Sequence, residues 1–211
     1  MNLIPYLTFI TLILAALHIR ADLAKNYALI YFLKPVTIIL MIVIVFFKNI
    51  STSELYKNLI LVGLLFSLLG DIFLMLKIVQ FKSGLASFLV AHIFYFFAFV
   101  SVTGLHLHPL IFIPILIYFS FFLKKLLPNT FNFKIPIIIY SFVLMMNLWQ
   151  SSGRFNFDYS ESSLLAFSGT LLFVVSDSLL AYNKFVTKIK KAQFHILGTY
   201  YLSQLLIVYS V

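Results

Sequence analysis

The chain has 211 residues, of which 63% are hydrophobic and only 10% are charged. Soluble domains carry about 25% charged residues, so this composition excludes a soluble globular protein. The apolar runs are continuous, whereas a membrane β-barrel would show alternating segments of roughly 10 residues. The net charge of +9 does not indicate a nucleic-acid partner, because the lysines and arginines fall almost wholly between the apolar runs. The absence of cysteine excludes disulfides, thiolate nucleophiles and cysteine metal sites.

Eight apolar segments follow one another with short connections, and each is close to the ~20 residues needed to cross a bilayer. They comprise residues 3–19, 27–47, 58–76, 84–103, 109–123, 134–150, 161–182 and 193–211. The first lacks a positive n-region, so we interpret it as a membrane helix and not as a cleaved signal peptide. The sequence therefore predicts an all-α, polytopic membrane bundle of eight transmembrane helices, in a single domain over residues 1–211.

The connections differ in positive charge, which sets the orientation of membrane helices. The odd-numbered connections hold eleven cations: Arg20, Lys25, Lys77, Lys82, Lys124, Lys125, Lys134, Lys184, Lys188, Lys190 and Lys191. The even-numbered connections hold three: Lys48, Lys57 and Arg154. This bias predicts that both termini lie outside and that the odd-numbered connections lie in the cytoplasm. The small size, with no attached soluble domain, favours the bacterial inner membrane.

Two of the segments carry an aspartate in matching sequence frames. The stretch GLLFSLLGDIFLMLK contains Asp71, and GTLLFVVSDSLLAYNKF contains Asp177; each has a glycine eight residues before the acid and a leucine three after it. An ionisable side chain within a membrane segment costs ~2.5 kcal/mol or more, so by default it marks a functional site. The second and sixth segments also both open with a lysine shortly before a proline. These matches predict two parallel four-helix repeats with a site between them.

Other polar residues are predicted to share the depth of the two acids, toward the cytoplasmic side. The second, fourth and eighth segments run outward and carry them before or near mid-depth: Tyr31, Lys34, His92, Tyr95, Thr199, Tyr200, Ser203 and Gln204. In a low-dielectric cavity, one carboxyl would be protonated and the other ionised, which supplies a general acid beside a charge-stabilising base. The structural alternative is that both acids only join helices, or are neutralised by Lys34.

The single residues around the acids each allow two interpretations. Lys34 either extends its ammonium group to the lipid headgroups or binds a phosphate or an aspartate. His92 has no histidine or acid at ligand spacing, so we expect a hydrogen-bonded core residue or a phosphate contact and no metal site. Ser67 precedes Asp71 by four residues, which places both on one helix face and predicts that they are partners.

These motifs resemble the YhhN-like lysoplasmalogenases, a family of integral membrane hydrolases. The resemblance is carried by Lys34–Pro35, Gly70–Asp71 with Leu74–Met75, Gly84, Phe88, His92 and Tyr95, Ser176–Asp177 with Leu180–Ala181 and Phe185, and Thr199-Tyr200-Tyr201 with Gln204. It implies eight helices and cleavage of the vinyl ether bond of lysoplasmalogens. The products would be a fatty aldehyde and glycerophosphoethanolamine or glycerophosphocholine, formed with no metal and no organic cofactor.

The resemblance implies Asp71 and Asp177 as the catalytic pair, acting on a lysophospholipid drawn from the membrane lipid. The candidate substrate-binding residues are Lys34, His92, Tyr95, Tyr31, Ser67, Thr199, Tyr200 and Gln204. Two other functions would use the same acids. The chain could be a proton-coupled transporter of a small molecule or lipid, or a lipid-binding protein without catalytic activity.

Overall fold

The computed structural model describes residues 3–49, 51–76 and 80–211. These residues form α-helices and two single-turn 3-10 helices, and no strand occurs among them. The helices are α1 (Ile4–Leu23), α2 (Tyr27–Phe47), α3 (Glu54–Met75), α4 (Phe81–Thr103), α5 (Pro109–Leu126), α6 (Lys134–Asp158), α7 (Glu161–Phe185) and α8 (Ala192–Tyr209). The prediction of an all-helical bundle is confirmed. Within the described residues, the seven helices α1 to α7 are long and apolar enough to cross a membrane.

Helix α8 is not among those seven candidate membrane spans. It has only 18 residues, and Gln193, His195 and Gln204 interrupt its apolar sequence. Ten of its residues are buried, and it packs between α7 and α1 while also contacting α2. Polar side chains at membrane depth need partners inside the protein, and Gln204 finds them in the hydroxyls of Tyr95 and Tyr200, whereas His195 is exposed.

Three helices begin at side-chain N-caps where the chain turns back. Asn26, Ser53 and Ser160 each accept a hydrogen bond from a backbone N–H in the first turn of α2, α3 and α7 respectively. These caps satisfy N–H groups that no helical carbonyl can reach. The connections therefore stay short, and consecutive helices run antiparallel.

Helix α6 is longer than the predicted segment 134–150 and continues to Asp158. Arg154, which we assigned to a connection, consequently lies inside α6 and is only 1% exposed. Its guanidinium group lies 5.1 Å from the ring centroid of Tyr56 and donates a hydrogen bond of 2.8 Å to Ser162. Arg154 therefore belongs to the protein interior and should not be counted as a topology-setting surface charge. The predicted cytoplasmic Lys77 lies outside the described residues.

The glycines of the two matching frames permit close packing of the following helix. A Cβ atom on Gly63 would lie 2.2 Å from a ring carbon of Tyr95 in α4. A Cβ atom on Gly169 would lie 2.9 Å from the backbone oxygen of Ser203 in α8. Both distances are shorter than van der Waals contact, so a larger residue would displace the Tyr95 ring at Gly63 and the α8 backbone at Gly169.

Six helices, α1 to α4, α7 and α8, surround a cavity at one end of the bundle. This is the end where α1, α3 and α7 finish and α2, α4 and α8 begin. At the opposite end, the hydroxyl oxygens of Thr8 in α1 and Tyr209 in α8 lie 2.5 Å apart. Helix α5 is peripheral: it packs chiefly on α6, and of its residues only Ile115, Phe119 and Leu126 are buried.

Candidate active site

The cavity has a volume of about 710 Å³, and both predicted catalytic acids line it. Asp71 comes from the last turns of α3, and Asp177 from the last third of α7. Lys34 and Tyr31 of α2 and Tyr200 of α8 line the same cavity. The structure thus brings residues from four helices, widely separated in the chain, into one polar space at one end of the bundle.

Asp71 is almost completely buried, with 2% of its side chain exposed, and both of its oxygens are occupied. Its Oδ1 lies 2.9 Å from the Nζ atom of Lys34, and its Oδ2 accepts a hydrogen bond of 2.7 Å from the Tyr200 hydroxyl. A lysine and an aspartate buried side by side compensate each other's charge, which is the usual condition for burying either. Asp71 is therefore an ion-paired carboxylate whose orientation is fixed from two directions.

Asp177 has different neighbours and is more accessible, with 17% of its side chain exposed. Its Oδ2 accepts a short hydrogen bond from the Tyr140 hydroxyl of α6. The same oxygen lies 3.8 Å from Nε2 of His92, which is too long for a hydrogen bond. Within the part of the chain that the structure describes, Oδ1 of Asp177 has neither a hydrogen bond nor an ion pair.

His92 is buried beside Asp177 and does not line the cavity. Its ring packs edge-on against Phe173, Tyr140 and Tyr95, with centroids 4.5, 5.6 and 6.0 Å away. Its backbone carbonyl accepts a hydrogen bond of 2.6 Å from Asn147 of α6. We expected a hydrogen-bonded core residue, and the backbone of His92 makes such a hydrogen bond. The His92 ring is instead held by aromatic packing beside Asp177, a neighbour that sequence spacing did not reveal.

Tyr95 and Gln204 form a buried hydrogen-bond chain behind Asp71. The Tyr95 hydroxyl donates to the side-chain oxygen of Gln204 at 2.9 Å, and the Gln204 nitrogen donates to the Tyr200 hydroxyl at 3.4 Å. Ser67 joins this chain, with its hydroxyl 3.3 Å from that of Tyr95. Among the described residues, Ser67 thus has no direct hydrogen bond to Asp71 and is linked to it only through Tyr95, Gln204 and Tyr200. These three residues orient Tyr200 and do not line the cavity.

Thr199 does not fit its expected role as a substrate-binding residue. Its hydroxyl donates to the backbone oxygens of His195 and Ile196 at 2.7 and 3.1 Å, within its own helix. Threonines in helices commonly satisfy themselves in this way. Thr199 is absent from the residues that line the cavity, whereas its neighbour Tyr200 is among them.

The sequence did not single out several residues that complete the site. Tyr140 lies in an apolar run where tyrosine is not distinctive, so only its position relative to Asp177 reveals it. His18 and Asp22 are separated by four residues on α1, and both line the cavity. His18 lies 2.8 Å from the Tyr201 hydroxyl through Nδ1. The spacing of the two α1 residues was the available signal for their shared face.

The mouth of the cavity is charged. Asp22 and Tyr27 lie where α1 ends and α2 begins, and Lys184 and Lys188 lie at the end of α7 and just beyond it. Among the described residues, no group of three or more histidine, aspartate or glutamate side chains is arranged to hold a metal ion. The polar groups that line this space are carboxylates, ammonium groups, hydroxyls, amides and the His18 imidazole.

A narrow apolar crevice joins the cavity on the side of α5. It is bordered by α4, α5, α6 and α7, and its volume is about 60 Å³. Asp177, Phe88 and Leu180 line both spaces, whereas Asp71 lines only the cavity. Asp177 thus stands at the junction of a polar and an apolar compartment.

Comparison with known proteins places the chain in a family. The YhhN family matches residues 29–211. Lysoplasmalogenase TMEM86B of Homo sapiens is 32% identical over 164 residues, covering 76% of this chain and 66% of the human protein. For TMEM86B of Sus scrofa the values are 31% over 170 residues, covering 80% and 70%. For lysoplasmalogenase TMEM86A of Homo sapiens they are 31% over 156 residues, covering 72% and 64%.

The chain spans about two thirds of the length of these curated relatives. No solved structure matches its fold. The family match begins in α2 and includes both acids and their neighbours Lys34, Tyr140, His92 and Tyr200, whereas the cavity-lining residues His18, Asp22 and Tyr27 precede it. The resemblance that the sequence motifs indicate is therefore confirmed, and the chain belongs to the YhhN family.

Proposed function

We propose that this protein is a lysoplasmalogenase, a membrane hydrolase that cleaves the vinyl ether bond of lysoplasmalogens with Asp71 and Asp177. The relatives that carry this name and the family match support the reaction. The observation that carries the mechanism is that the two carboxyl groups line one cavity, in different hydrogen-bonding environments. The products are a fatty aldehyde and a glycerophosphoethanolamine or glycerophosphocholine.

Enol ether hydrolysis needs an acid and a group that stabilises positive charge. A proton is added to the alkenyl carbon distal to the ether oxygen, and the electron pair of the double bond forms the new C–H bond. The positive charge that results is shared by the adjacent carbon and the ether oxygen, and a carboxylate nearby stabilises it. Water then adds to that carbon and returns one proton to a carboxylate. The hemiacetal collapses when the glycerol oxygen takes up a proton and the hemiacetal hydroxyl loses one.

The charged mouth of the cavity suits a zwitterionic headgroup. Lys184 and Lys188 would bind the phosphate, and the Asp22 carboxylate with the Tyr27 and Tyr31 rings would bind the ammonium group of ethanolamine or choline.

Because these headgroup contacts do not change during the reaction, Lys188→Gln should raise KM about 3–10-fold and leave kcat nearly unchanged. An equal loss in kcat would contradict a pure binding role for Lys188.

The arrangement in the membrane follows from the charges. We propose that α8 also crosses the bilayer, that both termini lie outside, and that the cavity opens toward the cytoplasm. Lys184 and Lys188 at the cavity end support this orientation. A bacterial inner membrane remains our prediction for the host membrane, and no other chain or nucleic acid is required for the proposed reaction.

We also propose that α1 to α4 and α5 to α8 are two parallel repeats. Each acid takes one partner from the helix before its own, Lys34 of α2 for Asp71 and Tyr140 of α6 for Asp177. Each also has a neighbour from the last helix of the other half, Tyr200 of α8 and His92 of α4. This exchange is what a two-fold relation about an axis along the membrane normal would produce.

An aldehyde-release assay on the purified protein in detergent tests the proposal. The substrates are ethanolamine and choline lysoplasmalogens, and the control is the matching lysolipid with a saturated ether. We expect aldehyde from both vinyl ethers and none from the control. Turnover in detergent would also exclude a transporter as the sole function, since transport requires a membrane. A folded protein that releases no aldehyde, and that still binds the lysolipid when both acids are changed to alanine, would instead support the lipid-binding alternative.

A further inference from the structure

The apolar crevice beside Asp177 is suited to a single hydrocarbon chain. Phe119 and Phe122 of α5, Leu144 of α6 and Phe185 of α7 contribute to its walls. The crevice continues directly from the cavity, since Leu74, Phe81 and Phe88 line both. A lysolipid whose headgroup occupies the charged mouth therefore has one apolar compartment within reach for its chain.

The crevice also borders the lipid-facing surface. Helix α5 is the outermost helix beside it, and the Tyr118 hydroxyl of α5 donates a hydrogen bond of 2.7 Å to Ser178 of α7. Tyr118 is 41% exposed, and Ser178 lines the crevice. A single exposed hydrogen bond thus supplies part of the contact between α5 and α7. It holds these two helices together less firmly than packing holds α3 against α4 or α7 against α8.

We infer that the first carbons of the alkenyl chain, as many as the crevice of about 60 Å³ holds, lie between α5, α6 and α7, and that Asp177 consequently protonates the distal alkenyl carbon while Asp71 stabilises the cation. This inference rests on the proposed lysoplasmalogenase activity. The chain enters from the bilayer past Tyr118 and Ser178, and the headgroup remains in the cavity. The vinyl ether lies at the junction of the two spaces.

The division of roles follows from the order of atoms in the substrate. The carbon that receives the proton is on the chain side of the ether oxygen, and the oxygen that shares the positive charge is on the headgroup side. Asp177 lines the crevice as well as the cavity, whereas Asp71 lines the cavity alone. The acid nearest the chain side is therefore Asp177, and the ion-paired Asp71 lies on the side where the charge develops.

The hydrogen bonds of the two acids agree with these roles. Both oxygens of Asp71 already accept hydrogen atoms from Lys34 and Tyr200, so this group functions as a carboxylate. Asp177 receives its hydrogen bond at Oδ2, and its Oδ1 has no partner among the described residues. Its Oδ1–H bond breaks as the C–H bond forms, and the carboxylate that remains takes up a proton when water adds.

The position of the chain is tested by filling the crevice. Ala181 lines it one turn after Asp177, and Val175 on the same helix is 38% exposed and lines neither space. Ala181→Phe should lower kcat/KM at least about 10-fold for a long-chain lysoplasmalogen and leave an analogue with a short alkenyl chain within about twofold. Val175→Phe, the matched control, should alter neither. If Ala181→Phe reduces both substrates equally, or neither, the chain does not occupy the crevice.

The roles of the acids are tested with a cation mimic, a saturated lysolipid analogue that has a secondary amine in place of the vinyl ether oxygen. Asp71→Asn should weaken its binding at least about 10-fold, whereas Asp177→Asn should leave it within about threefold, because the ionised carboxylate is the one that holds the cation. The saturated ether lysolipid should bind both variants equally, which verifies that each is folded. The reverse order of the two variants would overturn the assignment. Wild-type protein that releases no aldehyde would instead refute the proposed function.

Discussion

The two aspartates occupy the same position in matching sequence frames, yet the structure surrounds them differently. Asp71 is buried against an ammonium group and a hydroxyl, and Asp177 is partly accessible with a hydroxyl and an imidazole ring for neighbours. A lysine beside a buried carboxyl supplies a counter-charge, whereas a tyrosine hydroxyl supplies only a hydrogen bond. Two helices with matching sequence frames can thus place their acids in different surroundings, because neighbouring helices supply Lys34 and Tyr200 to one acid and Tyr140 and His92 to the other.

The largest expected effect comes from removing the accessible acid. Asp177→Asn should lower the rate of aldehyde release about 10³-fold or more, because general acid catalysis typically contributes 10²–10⁴ and no other carboxyl among the described residues lines both compartments. Glu161→Gln, at the far end of the same helix, is the matched control and should retain full activity. An Asp177→Asn protein with near-normal turnover would remove Asp177 from the chemistry.

Breaking the ion pair should affect stability as much as activity. Lys34→Met leaves Asp71 buried without its counter-charge, and removing one partner of a buried pair typically costs about 3–5 kcal/mol. Unfolding in detergent measures this loss. The double variant Lys34→Met with Asp71→Leu should recover most of the stability but no activity. If the single variant is as stable as the wild type, Asp71 is not held by charge and the contrast between the two acids fails.

The two tyrosines that donate to the acids should differ in importance. Tyr140→Phe removes the hydrogen bond to Asp177 and should reduce kcat about 10–100-fold, because bonds to charged or reacting groups contribute about 1.5–3 kcal/mol. Tyr200→Phe should reduce it by about threefold to tenfold, because Lys34 still holds Asp71. Equal effects, measured as kcat with the same lysoplasmalogen, would mean that the two acids depend on their hydroxyl partners alike.

The smallest effects should come from the two close-packed glycines. Gly169→Ala would meet the rigid backbone of α8 at Ser203, so we expect a loss of about 1–3 kcal/mol in unfolding free energy. Gly63→Ala would meet only the Tyr95 ring, which can shift, so its loss in stability should be smaller. It should instead weaken activity by displacing the Tyr95 and Gln204 hydrogen bonds behind Asp71. A larger loss of stability at Gly63 would contradict this difference between the halves.

Much of the fold was predictable because apolar length and composition decide it. The all-helical membrane character follows from the continuous apolar runs, and the shared cavity follows from the common predicted depth of Asp71, Asp177 and Lys34. Helix α8 was predicted as a span on the same grounds, but its two glutamines and one histidine lower its hydropathy, and it is not among the candidate spans of the described residues. Such a helix requires interior partners, and sequence alone does not show them.

The sequence could not predict the direction of individual side chains. Four-residue spacing places Ser67 on the same helix face as Asp71, but it cannot show that the Tyr95 hydroxyl lies nearer. Thr199 lies one residue from the cavity-lining Tyr200, and adjacent helical residues differ in direction by about 100°. Tyr140 was missed because its role depends on the approach of α6 to α7, a contact between helices that no local pattern in α6 encodes.

The exchange of partners between the halves bears on how the protein is made. Lys34 and Asp71 lie on consecutive helices, so they can enter the bilayer during synthesis as a neutralised pair soon after α3 emerges. Asp177 has no lysine of its own, but α4 and α6, which carry His92 and Tyr140, are already in place when α7 arrives. The Tyr200 hydroxyl reaches Asp71 only with α8, so we expect a nascent chain that ends before this helix to be inserted yet inert toward the surrounding lipid.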